Sequence, residues 1–278
     1  MNINWKLKSF IFSLIDLTRS YRLLYFIQKY ITKRSEITNL KVSRNWKFHE
    51  ENFKSHAPNP TIFEFGAGKD LSQNLYLSKI FNKQVLVDIF PMLDLDLVEK
   101  ARILLKKAKI LNSQKKINEI SDLKFYDIDY IAPCDASDTG FDDDFFDGCI
   151  STNTLEHIPK NDIVKIFNEL KRIIRKSGFI SIIIDYSDHY AHTDKNISLL
   201  NFLTFNEKKW RKYNHKCHFQ NRLRHNEYRE IFLDLNFKII MEKEIQEEKS
   251  IPKSLLSKYD SSDSSWKSTK GYFLLSNN

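Results

Sequence analysis

The stretch Thr61-Ile62-Phe63-Glu64-Phe65-Gly66-Ala67-Gly68-Lys69-Asp70 constrains this chain more than any other. Ile62, Phe63 and Phe65 favour extended backbone, because branched and aromatic side chains fit a pleated surface, and Pro58 and Pro60 punctuate the entry. The expected strand carries a carboxylate near its end and runs straight into Gly66 and Gly68, two of only six glycines in 278 residues. A glycine reaches positive φ without strain and lets a ligand approach the backbone with no Cβ between them. After the turn, Leu71, Leu75, Leu77, Ile80 and Phe81 return close to the helical period, so a helix is expected over 71–81. Strand, glycine turn and helix together open a nucleotide-binding α/β unit.

Two phosphate-binding patterns are absent. A dinucleotide fingerprint needs a third glycine where Leu71 stands, and the G-x-x-x-x-G-K-[ST] loop does not occur. A carboxylate two residues before the first glycine would repel a pyrophosphate and suits a cationic ligand. Val85-Leu86-Val87-Asp88-Ile89 then reads as a buried parallel strand closed by an acid. An acid there, about twenty residues past the glycine turn, is placed to accept both hydroxyls of a ribose. Further along, helices are expected over 95–110, 163–174 (closed by Gly178) and 228–235. Strands are expected over 130–135, 146–152, 179–184, 237–241 and 271–275, with loops over 112–127 and 242–265. Asp142, Asp143 and Asp144 read as an acidic turn before a strand rather than as metal ligands. Alternating strands and helices predict a doubly wound α/β fold.

With those residues identified, the chain resembles the class I S-adenosylmethionine-dependent methyltransferases of the small-molecule and glycan type, type 11-like, over about residues 58–276. The resemblance rests on Glu64–Gly68 against the motif E/D-x-G-x-G, on Asp88, on Asp135 and on Leu155-Glu156-His157. It departs at Asp70, where the family often has a third glycine. It implies a seven-stranded, mostly parallel Rossmann-like sheet, catalytic activity, and S-adenosyl-L-methionine as cofactor. The implied cofactor residues are Glu64, Phe65, Gly66, Ala67, Gly68, Asp88, Ile89, Asp135, Ala136 and Asn153. Asp135 is the implied partner of the adenine amino group. Some relatives bind a metal with E-x-x-E-H at this segment; Asn153 replaces the first glutamate here, so no metal is expected. No N/D-P-P-Y/F motif occurs, which argues against methylation of base amines, and Cys134 is read as core.

The acceptor side is read from Asp185-Tyr186-Ser187-Asp188-His189-Tyr190-Ala191-His192-Thr193-Asp194. Imidazole titrates near neutrality, so His157, His189 and His192 are candidate general bases, with Asp185 or Asp188 to orient one of them. A divalent-cation site for a sugar diol, or a polar loop with capping roles, would explain the same segment. Residues 196–225 mix Phe202, Phe205, Trp210 and Tyr213 with Lys208, Lys209, Arg211, Lys212, Arg222 and Arg224. The resemblance places a substrate lid at about 186–225, whose rings could stack on sugars and whose cations could pair with phosphate. The acceptor expected is a saccharide or lipid-linked glycan of surface polysaccharide biosynthesis, methylated on oxygen. RNA-directed methylation, or cofactor binding without catalysis, are the alternatives.

Charge enters at the N-terminus. Residues 1–55 hold 11 Lys and Arg against 4 Asp and Glu, within a chain of net charge +8. Phe10, Leu14, Leu17, Tyr21, Leu24 and Ile31 recur at spacings of three, four or seven, so residues 1–57 are expected as a basic amphipathic helical extension ahead of a methyltransferase domain at 58–278. Asp16, Arg19 and Arg22 interrupt the apolar run too early for a membrane span, leaving two readings for residues 1–40: contact with anionic lipid, or packing on the domain. Residues 41–60 read as a linker. The charge is too localised for a protein that coats nucleic acid. Cys134, Cys149 and Cys217 show no metal-ligand spacing and suit a reducing cytoplasm.

Overall fold

Strand β1 (Thr61–Phe65) lies inside a seven-stranded sheet of order β3-β2-β1-β4-β5-β7-β6. The other strands are β2 (Lys83–Val87), β3 (Ile128–Ile131), β4 (Phe146–Thr152), β5 (Ile174–Asp185), β6 (Phe237–Gln246) and β7 (Ser268–Asn277). Strands β1 to β5 pair in parallel, and β7 runs antiparallel between β5 and β6. The computed structural model describes residues 2–20, 37, 40, 42–57, 59–112, 115–260 and 262–278. Tyr21, Leu24 and Ile31 of the expected N-terminal helix, and Pro58, lie outside the described residues.

The period-two alternation of β1 builds two apolar layers. Phe63 and Phe65 join Val85, Val87, Cys149 and Ile182 on one face. There they meet Ile163, Ile166, Phe167 and Leu170 of helix α5 (Lys160–Ile173). Ile62, Leu86 and Ile150 face the other way, against α2 (Arg44–His56), α3 (Ser72–Leu77) and α4 (Leu95–Lys107). Phe63, Ile163, Phe167 and Leu170 have no exposed surface, and burying each such side chain is worth about 1.5–3 kcal/mol.

Sheet order reverses between β1 and β4, so the carboxyl ends of those strands open a crevice. Four sequence expectations are corrected. The linker over 41–60 contains α2, capped by Ser43 accepting from Trp46 N at 3.2 Å. Its buried side is His49, Glu50 and Phe53, too polar to show an apolar period. Gly178 does not cap α5, which ends at Ile173; it sits within β5, where an added Cβ would lie 2.5 Å from Ile174 Cγ2 and 2.8 Å from the Arg175 carbonyl. The loop over 112–127 ends in a 3-10 helix at Ile120–Tyr126, and β6 reaches Gln246, into the segment expected as loop.

Helix α1 (Trp5–Thr18) buries Trp5, Phe12 and Ile15 against Tyr190, Leu200, Phe202 and Trp210, forming a third apolar cluster away from the sheet. The segment between β5 and α7 (His225–Asp234) holds only short helical pieces, including α6 (Glu207–Trp210).

Candidate active site

The chain turns at Gly66 (φ +73°) and Gly68 (φ +82°), and the two glycines are needed for different reasons. A Cβ on Gly66 would overlap the Thr154 side chain that enters from the end of β4. A Cβ on Gly68 would meet nothing within 4 Å, because this residue faces an open cavity. Asp70, where a third glycine is common, caps the next turn: its Oδ1 accepts from Ser72 N at 2.8 Å.

The cavity has a volume of about 620 Å³, inside the range of small-molecule sites. Phe65, Gly66 and Gly68 form one wall, Asp88, Ile89 and Met92 a second, Cys134 to Ser137 a third, and Asn153, Thr154 and His157 a fourth. Eight of the ten sequence-expected cofactor residues therefore converge. Asp88 is buried, accepts from Tyr130 Oη at 2.9 Å and from the Gly68 amide, and burial pushes its carboxyl up to about 6. Asp135 lies exposed at the rim, where its Oδ1 accepts from Ser137 N and Oγ at 2.8 Å. Asn153 takes positive φ (52°) as the chain leaves β4.

The other two stand behind the wall. Ala67 packs into the core layer of α2 to α4. Glu64 is not among the cavity-lining residues; it reaches α3, accepting from Asn74 Nδ2 at 2.5 Å and Gln73 Nε2 at 3.3 Å, and burial, with Asp88 nearby, pushes its carboxyl up to about 8. It braces the helix that follows the glycine turn rather than lining the cavity. Gln73 Oε1 in turn accepts from Thr152 Oγ1 (3.1 Å), and Thr152 meets the buried His49 at 2.9 Å. Cys134, read as core, is half-buried in the cavity wall, and burial raises its thiol pKa.

At the acceptor end, Leu155–His157 forms one 3-10 turn. Its tight winding turns Glu156 inward, 2% exposed, while His157 faces the cavity. His157 Nδ1 lies 2.8 Å from the Phe219 carbonyl. A carbonyl only accepts, so Nδ1 carries a proton, and in the neutral ring Nε2 is the nitrogen with the lone pair. The rings of His157 and His189 are 4.9 Å apart, and those of His189 and His192 are 4.8 Å apart. Asp185 Oδ2 lies 3.8 Å from His189 Nε2 and 3.6 Å from His192 Nε2. Burial, with His157 and His192 nearby, lowers the His189 pKa to about 3. Asp188 does not join this group. It is fully buried inside the lid, accepting from Tyr190 N (2.8 Å) and Asn201 Nδ2 (3.0 Å), and burial pushes it up to about 6.

Most of the aromatic and basic groups expected to meet an acceptor are used internally. Phe202 and Trp210 are 1% and 3% exposed and belong to the cluster under α1. Arg222 donates to the Phe205 carbonyl (2.7 Å) and pairs with Glu207. Arg224 is buried and donates to the carbonyls of Tyr186 and Ser268. The sequence reading also missed Gln220 and Asn221, which tie the lid to the histidine turns. Gln220 Oε1 accepts from His189 N at 3.2 Å, and Asn221 Nδ2 donates to the carbonyls of Leu155 and Ile158 at 2.8 Å. No signal marks isolated amides of this kind. Glu156 was visible within Leu155–His157, but nothing local showed that it turns inward.

Residues 64–182 match a family described as a methyltransferase domain. Among solved structures, the chain is similar to 1,6-didemethyltoxoflavin-N1-methyltransferase of Burkholderia thailandensis, with a TM-score of 0.52 at 10% identity, covering 95% of this chain and 88% of that one. It is also similar to geranyl diphosphate C-methyltransferase of Streptomyces coelicolor, with a TM-score of 0.48 at 13% identity, covering 84% and 77%. None of the curated proteins matches the chain. The seven-stranded order, the glycine turn at the crevice and the matched segment lead to one conclusion: residues 64–182 form the core of a methyltransferase domain, of the kind that uses S-adenosylmethionine, within a Rossmann-like sheet.

Proposed function

We propose that the enzyme methylates a hydroxyl oxygen of a saccharide or lipid-linked glycan, with His157 as the general base. The observation that carries this reading is His157 in the cavity wall, its Nδ1 committed to the Phe219 carbonyl, which leaves Nε2 as the proton acceptor of the neutral ring. When bound, S-adenosylmethionine supplies a methyl group on a positively charged sulfur. Asp88 is assigned to the ribose hydroxyls, and Asp135 with Ala136 to the adenine edge. Gly68 leaves room for the backbone to approach the cofactor. His157 takes the hydroxyl proton, and the buried walls hold acceptor and donor in line, where proximity supplies much of the rate.

The test is incubation of labelled S-adenosylmethionine with glycan, lipid and RNA fractions of a cell extract. Label in an O-methyl sugar is expected, and His157→Asn should lower kcat about a hundredfold or more. Label recovered only in RNA, or in nothing, would count against the glycan acceptor.

The lipid-linked part rests on α1. Leu7, Phe10, Leu14 and Leu17 are 55%, 61%, 44% and 80% exposed on the side away from the lid, and no helix among the described residues is long and apolar enough to cross a membrane. A helix with one face packed and one apolar face outward can lie on anionic headgroups, here with exposed Lys208, Arg211 and Lys212 on the lid it covers. Removing α1 would also remove Trp5 and Phe12 from the lid core, so Phe10→Asp with Leu14→Asp is the cleaner probe. Co-sedimentation with phosphatidylserine vesicles should fall in the double variant; unchanged partitioning would refute the contact.

A further inference from the structure

Helix α2 carries a histidine, His49, that has no exposed surface and no part in the chemistry described above. Both ring nitrogens are bonded, Nδ1 to Ser181 Oγ at 2.8 Å and Nε2 to Thr152 Oγ1 at 2.9 Å. The direction of each bond follows from its partners. Thr152 has one hydroxyl proton and gives it to Gln73 Oε1, an atom that only accepts, at 3.1 Å. Thr152 Oγ1 therefore accepts from His49, and Nε2 carries the ring proton. Burial lowers the His49 pKa to about 3, so the ring is neutral at physiological pH and Nδ1 accepts from the Ser181 hydroxyl. Ser181 Oγ accepts in turn from Asn52 Nδ2 at 2.8 Å, and Gln73 Nε2 donates to Glu64 Oε1 at 3.3 Å. A continuous series of hydrogen bonds, all pointing one way, thus runs from Asn52 on α2 through β5 and β4 to α3 and the end of β1.

This series passes behind the cavity where the crevice opens. Gln73 lies in the first turn of α3, just after the glycine turn. Thr152 closes β4, and the next two residues, Asn153 and Thr154, stand in the cavity wall. The bond between Gln73 and Thr152 therefore ties one side of the crevice to the other. Helix α2 also grips α3 directly: Glu50 accepts from Tyr76 Oη and pairs with Lys79 Nζ at 2.8 Å. A buried polar series with every member satisfied holds one arrangement, because a shift strands a donor or an acceptor. We propose that His49 is a positioning residue for the cofactor: through Thr152 and Gln73 it fixes the end of β4 against the glycine turn, and α2 belongs to the frame of the cofactor site. This rests on the assignment of the crevice to S-adenosylmethionine, whatever the acceptor. The working domain then begins ahead of α2 rather than at residue 58.

The test is calorimetry with S-adenosylhomocysteine on the full-length chain, beside urea unfolding of the same variants. His49→Leu leaves the Thr152 and Ser181 hydroxyls without their ring partner. It should lower the urea midpoint and weaken binding about tenfold, the effect of roughly one hydrogen bond. His49→Gln, whose amide can donate to Thr152 Oγ1, should bind within about threefold of wild type, since that bond is restored. His49→Leu combined with Thr152→Val and Ser181→Ala removes the polar partners together, so the midpoint should recover. Binding by this triple variant should stay about tenfold weak, because Gln73 has lost its tie to β4. Should His49→Leu fail to fold, Thr152→Val alone cuts the same link and should show the same loss of affinity. Affinity that follows the midpoint across the set, wild-type affinity in the triple variant, or no rescue by His49→Gln overturns the positioning role alone. No heat from the wild type overturns the cofactor assignment as well.

Discussion

The cofactor half and the acceptor half of this enzyme are built by different means. In the cofactor half, regular strands and one glycine turn place the groups, and the acids have hydrogen-bond partners: Asp88 with Tyr130, Glu64 with Asn74. The acceptor half is a layer of aromatic rings from α1 and the lid, with short helical pieces, the buried Glu156 and the half-buried His189; both carboxylate oxygens of the one and Nε2 of the other lack a hydrogen-bond partner among the described residues. A shared cofactor can be met by periodic backbone geometry. An acceptor pocket depends on which side chains a loop happens to turn inward, so its residues are set one at a time.

The sharpest break between the halves is a change in the helix layer packed against the sheet. Phe53→Ala empties a fully buried site against β4 and should cost about 3–5 kcal/mol, read as a lower urea midpoint for the whole domain. A local loss with an unchanged midpoint would show that α2 is not part of the sheet's cooperative unit.

Next is Gly66→Ala, which combines positive φ with overlap of Thr154. It should weaken S-adenosylhomocysteine binding roughly a hundredfold, since φ strain of about 1–2 kcal/mol adds to a displaced β4 end. Affinity within threefold of wild type would remove the glycine turn from the cofactor site.

A smaller effect comes from Asp88, whose folded pKa of about 6 lies above its ordinary value of 3.8. The carboxylate is the better acceptor for ribose hydroxyls, so affinity should be full above pH 7 and fall as pH drops through 6. At pH 5 the loss should be about tenfold by linkage, and Asp88→Asn should flatten the profile. A wild-type profile flat from pH 7.5 to 5 would dismiss Asp88 as the ribose group.

The smallest effect on the cofactor is expected from Trp5→Ala. Trp5 packs on Tyr190, Phe205 and Tyr213, away from the cavity. Cofactor affinity should change less than about twofold, as for distant independent sites, while amide exchange across 196–218 quickens. Equal damage to both halves would erase the distinction between them.

The same contrast explains what could be read in advance. β4 matched its expected bounds, Phe146–Thr152, because a parallel strand buried on both faces is an apolar run ended by a turn. Helix α2 did not, because its buried side is His49 and Glu50, paired with Ser181 and Tyr76 from distant elements. Asp188 and Asp185 look alike in the chain, three residues apart. One is sealed in the lid by Asn201, and the other faces two histidines.

By itself, the sequence determined the strand–glycine–helix opening, the acid after β2 and the doubly wound order, because those depend on local period and on backbone freedom at single residues. Only the tertiary structure decided that Glu64 braces α3 instead of lining the cavity, that Trp210 and Arg224 serve the interior, and that Glu156 meets His189. The physical reason is that side-chain direction across a loop or a 3-10 turn is set by what packs against it from far along the chain, and no neighbouring residue records that choice.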